Sequence, residues 1–175
     1  MLTDLSPLIA ATSRWLTVAY PPCDGALAAA LCETQVLQAV TVAAWLRYPT
    51  EADAALVTMT GPGGAAGLDL ITGAGPVDGG SGEEQGWRTW VDEVVASWAA
   101  GLLTDPELAG RAVGALVDGE HTVGIPVDFR RLTAPDDGDL RAAALLRHPD
   151  LLAPVAEIHL DLLLDRLGPG RHLAA

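Results

Sequence analysis

A histidine, an arginine and a glutamate sit on apolar helical stripes of this chain, and their types could do chemistry. At about 100° per residue, His159 projects opposite the acidic stripe of Glu157, Asp161 and Asp165 and shares its face with Leu152, Val155, Leu162, Leu163 and Arg166. Glu33 falls with Ala26, Ala29, Leu37, Val40 and Ala44, away from Gln35 and Gln38. Polar groups on apolar faces need partners once buried. If the two helices pack together, Glu33, His159 and Arg166 meet. A buried carboxylate beside an imidazole shifts both pKa values and suits general acid–base work. Glu33 would then orient His159, and the planar fork of Arg166 would bind a carboxylate or phosphate. The plainer account is a structural ion pair, or an arginine tip that reaches water.

Cys23 lies in PPCDG, a tight turn before a helix start, where a thiol is inclined to ionise. As a nucleophile it would want His121 or His159 as base. Cys32, in the middle of a helix, reads as packing. The turn TGPGGAAG resembles a dinucleotide-binding loop through Gly61, Gly63 and Ala66. The segment after it is too short and too bounded by glycine to be the helix such a loop needs. The three carboxylates along the last helix diverge, whereas a hard cation wants convergent ligands. No metal site and no cofactor are expected. Trp87, Trp90 and Trp98 stand at helical spacing with Val91 and Val94. That stripe reads first as core and otherwise as a ligand or partner surface.

The elements that must hold these residues are set by an unusual composition. The 175 residues include no lysine and no asparagine, while alanine, leucine and glycine dominate, as in high-GC bacterial coding. A lysine Schiff base, a P-loop lysine and N-glycosylation are thereby excluded. The formal net charge is −13, with 23 acids against 10 basic residues, and the acids are scattered. Such a surface repels phosphate backbones and anionic headgroups, so nucleic-acid binding is not expected. Two cysteines make no disulfide framework, which fits a reducing cytoplasm. MLTDLSPLIAATSRW lacks the order of a secretory signal. Ala26 to Leu46 is long enough to weigh as a membrane span. Glu33, Gln35 and Gln38 near its centre argue for a core helix.

Ser6-Pro7 starts a helix to about Tyr20, stopped by Pro21-Pro22. Asp24 caps the next, to about Arg47. AALVTMT, GPGGA and GLDLITG read as a β-hairpin over 51–75. The rival is a helix over 51–60, capped by Thr50 with Asp53 three residues on. Residues 73–86 form a flexible Gly-rich loop. Trp87 to Leu103 is a helix; Thr104 and Glu107 suit a capping box for the next, or Asp105 caps directly onto Pro106, and that helix runs to about Val117. His121 to Leu132 reads as an edge strand interrupted by Pro126. Asp136 to Asp139 begin a helix that breaks at His148-Pro149, and a last one spans roughly Asp150 to Leu167.

The expected fold is therefore α+β and mainly helical: a single domain over 1–175. Five to six helices form an irregular bundle beside a small antiparallel sheet of two or three strands. With no recognisable catalytic constellation, the leading expectation is a cytoplasmic accessory or assembly protein that binds a protein partner, or itself as a homo-oligomer, through an apolar helical face. The alternative is a small enzyme or ligand-binding protein whose pocket, holding a small molecule, uses Glu33, His159 and Arg166. An acidic decoy for a nucleic-acid-binding protein is the third reading.

Overall fold

Pro7 and the spacing of Leu8, Ala11, Thr12, Trp15 and Leu16 make the first element. In a computed structural model, which describes residues 4–23, 25–76, 80–124 and 126–168, α1 runs Ser6–Ala19 and buries those five side chains on one face. The next helix, α2 (Ala26–Arg47), is apolar almost all round. The cap expected at Asp24 lies outside the described residues. A helix of that kind belongs in a core. α2 is packed by α1 and by the later helices α5 (Glu93–Thr104), α6 (Pro106–Ala115), α7 (Arg130–Thr133) and α8 (Asp137–Ala142). By length and composition alone it could also cross a membrane. Its buried residues, Cys32 to Leu46, form the centre of the core.

The sheet is the main correction. Among the described residues there is no strand. The segment expected as a hairpin folds as α3 (Glu51–Thr60) and α4 (Ala66–Thr72). The capping box decides the first: the Thr50 side chain accepts from the Asp53 N–H, and the Asp53 carboxylate accepts from the Thr50 N–H. The threonines that favoured a strand return their hydroxyls to the preceding turn, Thr58 to the Ala54 carbonyl and Thr60 to that of Leu56. The apparent alternation in GLDLITG is a short helix with Leu68 inward and Leu70 outward. His121 to Leu132 is not a strand either. It holds a 3-10 turn, Glu120–Thr122, and the start of α7, with Ile125 outside the described residues.

Two long helices are interrupted. Trp87 to Leu103 begins as a 3-10 turn, Gly86–Trp90, and α5 starts only where Asp92 caps it by accepting from the Val95 N–H at 3.0 Å. The C-terminal stretch is α9 (Pro149–Ala156), a 3-10 turn at Glu157–His159, then α10 (Leu160–Leu167). Pro154 lies inside α9 and has no N–H to give. The tightened turn rotates α10 relative to the uniform 100° ruling that linked Glu157 to Asp165.

Two amides of α2, Gln35 buried and Gln38 partly buried, lock the peripheral segments on. Gln35 is fully buried; its Nε2 donates to the Asp139 carbonyl at 2.9 Å, and its Oε1 accepts from Arg147 Nε at 2.7 Å. Arg147 also donates to the Leu103 and Arg131 carbonyls. Its guanidinium is held below the usual arginine range by burial. Gln38 reaches residues 128–132 in the same way: it donates to the Asp128 carbonyl and accepts from the Leu132 N–H. These bonds explain how amides can sit in the centre of an apolar helix.

Candidate functional site

Among the described residues, one face of α2 is left partly open, and it is the starting point. Thr34, Leu37, Thr41 and Trp45 recur at helical spacing, and Leu37 stays about half exposed at 49%. Together with the start of α1 and residues 51 and 120–123, the Leu37–Thr41–Trp45 stripe floors an open groove of about 880 Å³. Leu5, Ile9, Ala10 and Val123 add apolar wall, while Asp4, Glu51 and Glu120 bring carboxylates. Among the described residues, histidine is the only basic type in this lining.

The wall between the groove and a second, smaller cavity is a pair of rings. Trp45 and His121 stack with centroids 5.6 Å apart and planes 15° apart, and Phe129 meets Trp45 edge-on at 6.0 Å. His121 Nε2 lies 2.6 Å from the Tyr48 carbonyl. A carbonyl only accepts, so Nε2 carries the proton. The Tyr48 hydroxyl in turn donates to Asp92 Oδ2 at 2.5 Å, and burial followed by this bond pushes its pKa well up. Asp92 caps α5, and its own N–H donates to Thr12 Oγ1 at 3.2 Å. The Glu51 N–H donates to Glu120 Oε2 at 3.0 Å, which ties the start of α3 to the Glu120–Thr122 turn.

Behind the ring pair, at the end of α2, lies a more enclosed cavity of about 140 Å³ lined by Trp45, Leu46, Pro49, Leu116, His121 and Arg166, among others. Arg166 Nε donates to the Leu46 carbonyl at 3.1 Å. That carbonyl is one of the last in α2 and has no partner within the helix.

The group expected of Glu33, His159 and Arg166 is dispersed. Glu33 is exposed and lines a shallow cleft with Ser13, Arg14, Thr17 and Leu37. The first turns of α2 run past the core, whose first buried residue on that helix is Cys32. His159 finds a different acid: its Nε2 lies 2.8 Å from Glu93 Oε1. The turn around it is fastened by Ser97, whose hydroxyl accepts from the His159 N–H and donates to the Ala156 carbonyl. Glu93 is wedged against Gly67 of α4, where a Cβ would stand 2.3 Å from Oε2. Arg166 points to the end of α2 instead.

Cys23 is exposed and donates to the Arg141 carbonyl at 3.3 Å. Neither His121 nor His159 is its partner, since both have their own. Among the described residues no cluster of three or more potential metal ligands occurs. The tryptophans divide. Trp98 is buried and its indole N–H donates to the His159 carbonyl at 3.0 Å. Trp87 is partly buried beneath Arg14 and Arg88, whose guanidinium carbons stand 4.8 and 5.3 Å from its ring centroid. Arg88 is itself paired with Asp69, which also accepts from the Trp15 indole at 2.9 Å. Trp90 packs partly buried against the core. Sequence reasoning missed Trp45 as a site residue. Its signal was the run Leu37, Thr41 and Trp45, three side chains at four-residue spacing on one helix.

These features define the class: an acidic, helical protein with an open groove on its central helix and a small cavity at that helix's end. Compared with known proteins, the chain matches no family model, no curated protein and no solved structure.

Proposed function

We propose that this is an accessory protein that binds a basic, amphipathic segment of another polypeptide in the groove over α2. The observation that carries the reading is the open Leu37–Thr41–Trp45 stripe. The central helix of a bundle is expected to be covered on every apolar side, and this one is not. Its apolar lining and helical spacing suit the helix-in-groove mode, in which apolar anchors at i, i+3 or i+4 and i+7 enter such a trough. Asp4, Glu51 and Glu120 along the groove favour a cationic partner, as does a net charge of −13. Glu33, His159 and Arg166, on which the enzymatic alternative rests, each have other surroundings.

The test is fluorescence anisotropy with labelled amphipathic Leu/Arg peptides. A scrambled peptide of equal charge and an acidic peptide with the same apolar positions serve as controls. The basic amphipathic peptide should bind, the two controls more than tenfold more weakly. Thr41→Arg, which places bulk and positive charge on the groove floor, should abolish binding without lowering the melting temperature. Equal binding of the scrambled peptide, or of the wild-type peptide by the Thr41→Arg protein, overturns the reading.

A further inference from the structure

We propose that the cavity at the end of α2 binds a small aliphatic monocarboxylate, with Arg166 as its anion-binding residue. The space is sufficient: about 140 Å³, where a single water needs only about 10–15 Å³ by this kind of measure. Its walls are mainly apolar, from Trp45, Leu46, Pro49 and Leu116, and so suit a short hydrocarbon tail. Its cation is held in place, because Arg166 Nε is anchored on the Leu46 carbonyl at 3.1 Å. Among the described residues no bond is made by the two terminal amino groups of that guanidinium, which form half of the fork that carboxylates accept. The same anchor covers a terminal α2 carbonyl that would otherwise repel an anion. The ring of His121 stands in the wall with its Nε2 committed to Tyr48, and among the described lining residues Arg166 brings the one guanidinium. One cation balances one carboxylate. A dianion would be left in surplus on a protein already at −13. A phosphate would also lack the further donors it normally gathers.

This inference is independent of the groove reading, although Trp45 and His121 border both spaces. The experiment is a titration of the ¹⁵N-labelled full chain with butyrate, acetate or phosphate at constant ionic strength, followed through the indole N–H signals. Trp45 is assigned by the signal lost in Trp45→Phe. Butyrate should shift the Trp45 signal saturably, with a dissociation constant on the order of millimolar for so small a ligand, and bind more tightly than acetate. Arg166→Gln should weaken it at least tenfold. Because that variant also alters the hold on α2, Ala115→Leu is run beside it: it narrows the cavity from the end of α6, leaves the guanidinium intact, and should weaken butyrate while the melting temperature holds. Thr41→Arg should leave butyrate binding unchanged, which separates this site from the groove. No saturable shift with butyrate, an unchanged affinity in Arg166→Gln, or phosphate binding at least as tight as butyrate would each overturn the proposal.

Discussion

At the scale of single residues, partners decided what each polar side chain does, and partners were the part hardest to read from sequence. The partner of the His159 ring is Glu93, 66 residues away, rather than Glu33. Helical projection ranks faces within one helix and is silent about which helix lies opposite. Gln35 shows the reverse: it was read as an amide that argues against a membrane, and it proves to be the hub between α2, Arg147 and the Asp139 backbone. Gln35→Leu would leave Arg147 Nε without its acceptor in a buried place, while the Asp139 carbonyl keeps the Ala143 N–H. We expect a loss of about 2–4 kcal/mol in chemical denaturation, with the helical circular dichroism retained. The two cysteines should separate cleanly. Burial first, then Glu33 and Cys23, raise the Cys32 thiol from the ordinary 9.0 to about 11. Iodoacetamide at neutral pH should therefore modify Cys23 and reach Cys32 only on unfolding, as read by mass spectrometry of the peptides. The raised value also has a sign in stability. The contribution of the neutral Cys32 thiol is complete below pH 9.0 and is lost as the pH climbs toward about 11, because the unfolded chain ionises first. The melting temperature should fall less steeply across pH 8–10 in Cys32→Ala than in the wild type.

At the scale of elements, local capping chemistry was legible and continuity was not. Asp105-Pro106 and the Asp136/Asp139 pair each opened a helix where expected, whereas at α1 Leu5 stands at the N-cap and Ser6, already inside the helix, gives its hydroxyl to Asp4 instead. Thr50 and Asp53 opened one where strand propensity had been preferred, so two reciprocal hydrogen bonds outweighed the β-branched residues that follow. Asp92 and Pro154 broke helices that periodicity had run straight through. α3 is attached mainly by Ala54 and Val57, with Leu56 and Met59 outward at 61% and 82% exposure. Its stability should therefore be local. Thr50→Ala removes the acceptor of the Asp53 N–H and should cost about 1 kcal/mol. That cost should be felt as roughly fivefold faster hydrogen exchange across 51–60. The melting temperature of the whole should hardly move, and a large drop would mean that α3 is integral to the core.

At the scale of the whole molecule, charge and topology pull in different directions. A helical bundle around one apolar helix was visible in the composition and in Ala26 to Leu46. The groove on that helix was not, because an uncovered face depends on where α1, α3 and the Glu120–Thr122 turn happen to stop. With 23 acids against 10 arginines, like charges repel throughout the fold. Added salt should screen them and raise the melting temperature between 20 and 200 mM sodium chloride at pH 7. The same salt should weaken the groove's hold on a basic peptide. A protein stabilised by salt while its complex is loosened by it would carry the mark of this surface, and differential scanning fluorimetry beside anisotropy would reveal it. A melting temperature insensitive to salt would mean that the acids are too far apart to matter.

Gly67 links all three scales through a single missing methyl group. A Cβ there would stand 2.3 Å from the Glu93 carboxylate, so the space at 67 and the pairing of Glu93 with His159 form one inherited unit. In evolutionary terms the three positions should drift together. A lineage that acquires a side chain at 67 must turn the tip of the Glu93 carboxylate aside, and where that turn takes it off the imidazole, selection no longer has reason to retain an acid at 93 or a histidine at 159. Descendants that keep glycine should keep the pair.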